Sequence, residues 1–511
     1  MTTRSLQAAP VLVVGAGIMG VGIAQVAAQA GHPVQLFDAR PGQAQQAARK
    51  LGATLDALVA KGKLTADEAE ATLGRIEPLA ALEELAEPRL AIEAIVEDLV
   101  AKRALFQQLE SLVAADCVLA TNTSSISVTA IANGLERPAR LVGMHFFNPV
   151  PQMKLVEVVS GLHTDAEVAA AIFDLSRDWG KTPVHARSTP GFIVNRIARP
   201  FYAETLALLL EQAATPQVLD ACLRAAGFRM GPCELMDLIG HDTNFAVTQS
   251  VYQANFFDKR YMPSLVQREM VEGGLLGRKS GRGFYRYQGE GSGLPPLPVA
   301  VHEAPTTAGE VTVHGVGPIA DFFELAATRA LAQQGWGPAR VHDSGWVGLA
   351  IDGARLVLTD GRCAGDLVAA FGSADIAVFD RPFVLPAASG TALAFAVAHS
   401  AGSAWQMQAA AWLAALGFAP LRVADTPGLV VARSVAMLIN EAADAVQQGV
   451  CTPEAADAAM KLGVNYPAGP FEWLAQWRAA EVMALLDALD AHYRGERYRV
   501  GPWLRRVGQR A

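Results

Sequence analysis

The sequence predicts an α/β domain followed by an all-helical domain, and then a degenerate copy of both. Three observations predict it. Short β-branched runs alternate with amphipathic helical stretches up to residue 187. Strand signals vanish from Thr189 to about Tyr287, and motifs of that helical segment recur 237 residues later. Strands alternating with helices imply a parallel, doubly wound sheet, and a repeat at fixed offset implies duplication.

In the first domain, residues 1–187, the strand candidates are Val11–Val14, Val34–Asp38, Leu90–Ala94, Val118–Thr121, Leu141–His145 and Leu155–Val159. Helical stretches such as Val21–Ala30 and Lys102–Leu112 lie between them. A helical insertion over Gln43–Gly74 turns at Lys61-Gly62-Lys63, after which Thr65 and Glu68 form a capping box. Helical periodicity through Phe192–Gln212 and Pro216–Ala226 marks an all-helical domain over 188–287. Gln288–Pro298, rich in Gly and Pro, reads as a linker. Residues 300–420 return to strands and helices as a reduced α/β module, and 421–511 are helical again.

The duplication is written in the sequence itself. Thr189-Pro-Gly-Phe-Ile-Val-Asn-Arg196 is echoed by Thr426-Pro-Gly-Leu-Val-Val-Ala-Arg433, and Glu204 maps onto Glu441 at the same offset of 237. Thr215-Pro216 maps onto Thr452-Pro453, and Gly231-Pro-Cys-Glu234 onto Gly469-Pro-Phe-Glu472 one residue further out. Gly15-x-Gly17-x-x-Gly20 has a fainter echo in Gly315-x-Gly317-x-x-Ala320. Asn195 becomes Ala432, and none of the nine lysines lies between 300 and 420. One active and one vestigial half is the simplest reading.

Composition bounds the function. The chain has 511 residues, 51% hydrophobic and 18% charged, ample for three or four domains of about 150 residues. A net charge of −8 argues against non-specific nucleic-acid binding, which needs a broad basic surface. Pro10–Gly31 is apolar after Arg4, but Gly15, Gly17, Gly20 and Gly22, with Gln25 and Gln29, interrupt it. No signal peptide or membrane span is expected. The five cysteines are scattered without CxxC spacing, so neither a disulfide framework nor a metal site is expected, and a reducing cytoplasm is the natural compartment.

Val11–Val14 followed by Gly15-Ala-Gly17-Ile-Met-Gly20 is a strand leading through GxGxxG into a helix, the pattern of a Rossmann-type dinucleotide site. Glycines let the backbone approach a pyrophosphate at the helix N-terminus. Taken alone the motif also arises from packing; the surrounding strand, helix and second strand make it specific. Asp38, 18 residues past Gly20, is placed to accept both ribose hydroxyls and to repel a 2′-phosphate, selecting NAD, with Arg40 softening the preference.

A second constellation is Thr121-Asn122-Thr-Ser124-Ser125, His145-Phe-Phe-Asn-Pro149 and Lys154-Leu-Val-Glu157. Strand ends carry Ser124 and His145 to the cofactor crevice. Glu157 lies in an apolar strand, where a carboxylate is costly unless paired. His145 is the obvious partner, with a salt bridge to Lys154 as the plain alternative. A carboxylate-oriented imidazole is equipped to take a hydroxyl proton while hydride leaves the carbon. A histidine at a strand end is more often structural; the neighbouring nicotinamide site shifts the balance.

These segments, with Glu93-Ala-Ile-Val-Glu97, Pro190-Gly-Phe-Ile-Val-Asn-Arg196 and Gly277-Arg-Lys-Ser-Gly-Arg-Gly-Phe-Tyr285, resemble the 3-hydroxyacyl-CoA dehydrogenase family, densely over 10–287 and more loosely over 421–485. The resemblance implies His145 as general base and Glu157 as its orienting partner, with Ser124 and Asn195 on the substrate oxygens. It implies Glu97 and Asn122 at the nicotinamide ribose with Lys102 nearby, and the insertion at coenzyme A, where Lys61 and Lys63 would meet phosphates. For those two lysines an ordinary solvated turn is the even-odds alternative.

The segment from Gly227 to Tyr285 and the duplicated half resemble the phenylacetate-pathway branch, which oxidises 3-hydroxyadipyl-CoA. A diacid substrate would want a cation near its far carboxylate, with Arg199, Arg229 and His241 as candidates. A 3-hydroxybutyryl-CoA dehydrogenase and a non-catalytic nucleotide-binding protein are the rival readings. In two-domain relatives the helical domain mediates dimerisation, a role the duplicate could take within one chain. A homodimer, and a separate hydratase or thiolase partner, stay open.

Overall fold

The computed structural model describes residues 6–287, 297, 302–332, 335–385, 388 and 390–509. Nearly all of the expected linker, Gln288–Pro298, lies outside them. Contacts divide the chain into two compact units, Met1–Arg196 with Ala445–Val464 and Ile197–Asp444 with Asn465–Ala511.

The first unit holds an eight-stranded sheet built from β1 (Val11–Val14), β2 (Val34–Phe37), β3 (Ile76–Pro78), β4 (Leu90–Glu93), β5 (Val118–Thr121), β6 (Leu141–Phe146), β7 (Leu155–Ser160) and β8 (Thr182–Arg187). Their order is β3-β2-β1-β4-β5-β6-β7-β8. The sheet is not wholly parallel, as the alternation had implied: β7 runs antiparallel to β6, and β8 follows β7 in parallel. Only residues 147–154 connect β6 to β7, too few for a crossover, so the chain must return antiparallel. That return sets His145 directly opposite Glu157. Two strands are absent from the sequence reading. Three-residue β3 is too short to show a period, and Pro183 in β8 argues against a strand except at an edge, where β8 lies.

The core forms where apolar strand residues such as Val11, Val13 and Ile92 meet the helix Ile18–Gln29. The insertion is two helices, Gln43–Ala60 and Ala66–Gly74, with the Thr65/Glu68 capping box in place. The helix Pro453–Val464, from the second copy, packs on β7 and β8. A Cβ on its Gly463 would lie 2.7 Å from Leu155, so glycine is what allows that approach.

The second unit holds a seven-stranded mixed sheet: β9 (Val311–His314), β10 (Ala339–Val341), β11 (Gly348–Ile351), β12 (Ala354–Leu358), β13 (Ile376–Phe379), β14 (Thr391–Val397) and β15 (Phe418–Arg422). The first and second strands pair in parallel as in the first unit. The reduction lies at β11. It is antiparallel to β9 and β12 and joins β12 through Asp352-Gly353, both at positive φ, a two-residue hairpin in place of a crossover.

The helical copies repeat each other down to strained backbone. Gly191 and Phe192 (φ +77° and +47°) match Gly428 and Leu429 (φ +71° and +51°). Within the second unit the copies also exchange ion pairs reciprocally. Glu204 accepts Arg497 Nη2 at 2.8 Å and Tyr498 Oη at 3.0 Å. Its counterpart Glu441 accepts Tyr261 Oη at 2.6 Å and pairs with Arg260 at 3.4 Å, and these lie 237 residues before Tyr498 and Arg497. Such self-complementary exchange is the signature of an isologous interface. Among the described residues, no helix is long and apolar enough to cross a membrane.

Candidate active site

The candidate catalytic, cofactor and coenzyme A residues all fall in the first unit. The turn after β1 is built for close approach. Gly15 sits at φ +109°, and a Cβ there would lie 2.4 Å from the Ala94 carbonyl oxygen. A Cβ on Gly20 would meet the Gly15 carbonyl at 1.7 Å, whereas Gly17 faces open space. The backbone therefore presents a bare cradle, which fits the pyrophosphate of a dinucleotide. Asp38, next after β2, accepts the Ala16 N–H at 2.9 Å and Arg40 Nε at 3.0 Å. Partial burial pushes its carboxyl up, but Arg40 and the N–H donors outweigh that and hold it below its ordinary value.

Beyond β4 and β5 a connected acid–base lattice shapes the crevice. Lys102 is buried at 1% exposure, with Nζ 2.5 Å from Glu93 and 3.2 Å from Glu97. Thr121 Oγ1 donates to Glu93 at 2.7 Å. Glu97 Oε1 gathers the Ser124 and Ser125 N–H groups, each at 3.0 Å, and Thr123 Oγ1 at 2.6 Å. Burial raises the Glu97 pKa, yet Lys102 and these donors bring it below the usual range. Glu97 thus folds the Ser124–Ser125 loop over itself, and Lys102 stands behind it. Asn122 Oδ1 accepts the Phe146 N–H at 2.9 Å, tying the end of β5 to the end of β6.

The centre of the site is His145 and Glu157. Nδ1 of His145 lies 2.5 Å from Glu157 Oε2, and the carboxylate is fully buried. Its other oxygen accepts the N–H groups of Ile193 and Val194, both at 3.0 Å. One carboxylate therefore orients the imidazole and anchors the turn that carries Asn195. Asn195 Nδ2 reaches the Ser124 carbonyl at 3.4 Å, bringing those two residues together. Lys154 instead lies against the Gly180 carbonyl, so the salt-bridge alternative for Glu157 is not realised. Phe147 and Phe192 pack their rings on the imidazole at 4.5 and 5.8 Å.

Lys61 and Lys63 are exposed on the turn between the insertion helices. The three cations considered for a distal carboxylate belong to the second unit. There Arg199 is buried against Thr248 and Tyr202, His241 is buried on Asp237, and Arg229 is exposed. Sequence reasoning missed Glu93 as the second carboxylate on Lys102, the Ile193–Val194 anchor, and Phe192 against the imidazole. Only the Glu93-x-x-x-Glu97 spacing carried a signal.

The model of the 3-hydroxyacyl-CoA dehydrogenase NAD-binding domain matches residues 10–189, and that of its C-terminal domain matches twice, at 191–287 and 428–510. The chain belongs to the 3-hydroxyacyl-CoA dehydrogenase family. It is an NAD-dependent enzyme of that family, with two helical domains in one chain. Residues 356–427 match the reduced Rossmann-fold domain of 3-hydroxybutyryl-CoA dehydrogenase. A 3-hydroxyadipyl-CoA dehydrogenase of Escherichia coli (strain K12) is 44% identical over 490 residues, 96% of this chain and 95% of that one. A probable 3-hydroxybutyryl-CoA dehydrogenase of Deinococcus radiodurans is 44% identical over 276 residues, 54% of this chain and 99% of its own. The crystal structure of a protein named 3-hydroxybutyryl-CoA dehydrogenase, from Escherichia coli K12, superposes with a TM-score of 0.85 at 43% identity, covering 98% of both chains.

Proposed function

We propose that the enzyme oxidises 3-hydroxyadipyl-CoA to 3-oxoadipyl-CoA, as in phenylacetate degradation, with His145 as the general base. The observation that carries the mechanism is the buried carboxylate on Nδ1. With Glu157 ionised, Nδ1 holds the ring proton, leaving Nε2 a lone pair for the substrate 3-hydroxyl. Glu157 then stabilises the imidazolium that forms. Ser124 and Asn195, already linked, hold the oxygens at C3 and the thioester. Gly15, Gly17 and Gly20 hold the cofactor's pyrophosphate, Asp38 its adenosine ribose, and Asn122 and Glu97 line the nicotinamide ribose, with Lys102 positioning Glu97. NAD supplies the hydride acceptor when bound. Lys61 and Lys63 contact the phosphates of coenzyme A.

The likeness over the whole duplicated length supports the diacid substrate. A relative sharing the whole duplicated length bears the hydroxyadipyl name, whereas the Deinococcus hydroxybutyryl relative spans the first half alone. The full-length solved relative, which bears the hydroxybutyryl name, favours the other reading. NADH oxidation with 3-oxoadipyl-CoA and acetoacetyl-CoA at matched concentrations decides between them. A large kcat/KM advantage for the diacid is expected; equal or better use of acetoacetyl-CoA moves the enzyme to the hydroxybutyryl branch. The five free cysteines suit a reducing cytoplasm. A separate hydratase upstream or thiolase downstream is the natural partner, in keeping with the likeness to subunit alpha of a fatty acid oxidation complex over 285 residues.

A further inference from the structure

The second unit carries a cavity of about 650 Å³ that the chemistry at His145 does not use. Small-molecule sites span roughly 300–1,000 Å³. This one opens at the C-terminal ends of β9 and β12, where parallel strands of an α/β sheet leave their ligand crevice. Its floor is the Gly315-Val316-Gly317 turn. A Cβ on Gly315 (φ +89°) would lie 2.6 Å from the Trp346 carbonyl, and Gly317 (φ +93°) faces open space, as Gly17 does in the active copy.

The walls combine aromatic surface with excess positive charge. Trp346, held flat by His314 at 4.2 Å, and Trp477 supply the first. Arg362, Arg381 and Arg478 supply the second, and among the described lining residues only Asp360 and Glu481 answer them. Arg362 pairs with Asp360 at 2.5 Å, while Arg381 and Arg478 share Glu481. Arg381 Nε is sealed from solvent and carries no hydrogen bond. His342 follows β10 as Asp38 follows β2, so a basic group stands where the active copy keeps its ribose-binding carboxylate.

The active copy's pair of His145 and Glu157 has no counterpart at the matching register of this sheet. Asp380 pairs with Ala394 across the strands, as His145 pairs with Glu157. Both its oxygens are spent on the N–H groups of Val430, Val431 and Ala432.

We propose that this cavity binds an adenosine phosphate, with its phosphates on the Gly315–Gly317 turn and the arginines, and does not turn it over. Nicotinamide dinucleotides and coenzyme A share that moiety. With His342 replacing a carboxylate, a phosphorylated ribose is preferred, so 3′,5′-ADP binds more tightly than AMP.

The test titrates the full chain calorimetrically with 3′,5′-ADP, AMP, NADH and CoA, comparing wild type with Val316→Trp, which fills the cavity, and with His342→Ala/Arg362→Ala. Wild type should bind a second equivalent of CoA or NADH, whichever supplies the occupant, and both variants should lose it. Loss of a phosphate-binding cation should weaken the second equivalent of 3′,5′-ADP about tenfold or more. Turnover and melting temperature should stay at wild-type values, which separates this site from the one at His145. A single equivalent in wild type, or a second equivalent surviving in both variants, overturns the proposal. Equal affinity for AMP and 3′,5′-ADP overturns the role given to His342.

Discussion

Replacing Glu157 with Gln tests the active-site reading most sharply, because one carboxylate serves both the imidazole and the backbone. Oε1 of a glutamine can still accept the Ile193 and Val194 N–H groups that Glu157 takes at 3.0 Å. Its amide nitrogen would then face Nδ1 of His145, now 2.5 Å from Oε2. Two donors cannot share that contact, so the ring proton moves to Nε2 and the lone pair that accepts the hydroxyl proton is lost. The whole contribution of a general base, roughly 10²–10⁴-fold in kcat, should disappear. That is about 3–5 kcal/mol of barrier. The fold should lose less, about 1–3 kcal/mol for one charge-assisted bond. Steady-state NADH oxidation with acetoacetyl-CoA, alongside urea unfolding and NADH titration, separates these effects. NADH affinity should be unchanged. A folded Glu157→Gln enzyme turning over within about threefold of wild type would refute the coupling between Glu157 and the base.

Other outcomes follow from the same geometry. His145→Gln should lower turnover by roughly 10²–10⁴-fold with folding intact, as single-turnover kinetics would show. Asp38→Ala should weaken NAD and narrow its advantage over NADP in competitive titration, since Arg40 is released to meet a 2′-phosphate. Glu204→Ala should cost about 3–5 kcal/mol in urea unfolding, because it takes the paired carboxylate from Arg497, 2.8 Å away, and one of two carboxylates from the buried Arg433, which keeps Glu211 at 3.1 Å. Burial pushes both Asp220 and Asp380 up to about 6, above the unfolded value. Their contribution to stability is complete below about pH 4 and is lost as pH rises through about 6. Asp380→Asn should therefore flatten the pH dependence of unfolding across that window, read by tryptophan fluorescence.

Local chemistry made much of this legible. The glycine turn, the Thr65/Glu68 capping box and most of the strands from β1 to β7 are written in short-range pattern, and so is the repeat. His145 and Glu157 were readable as a pair because a carboxylate in an apolar strand needs a partner. What stayed hidden depends on tertiary placement. The antiparallel return of β7 follows from an eight-residue connection whose consequence appears only when the two strands are laid side by side. Glu97 as the anchor of the Ser124 loop, and Lys102 behind it, arise from donors up to 28 residues away. Arg260 and Tyr261 stand at the repeat offset from Arg497 and Tyr498, yet nothing in the linear text says that each pair serves the other copy's glutamate.

That reciprocal exchange has an evolutionary and practical consequence. In an assembly of two identical chains, every substitution is made twice, and dilution separates the halves. Here the mirrored surfaces are tethered, so they meet at an effective concentration set by the chain rather than by the solution. Their association should withstand dilution that would dissociate a pair of free subunits. Symmetry is then required only of the surfaces that touch. Glu204 and Glu441 keep it, while Ala432 has abandoned what Asn195 retains. One half is free to drift toward a different ligand because its structural duty to the other half is met by other residues, even on the one helix, Val431–Gln447, that carries both Ala432 and Glu441.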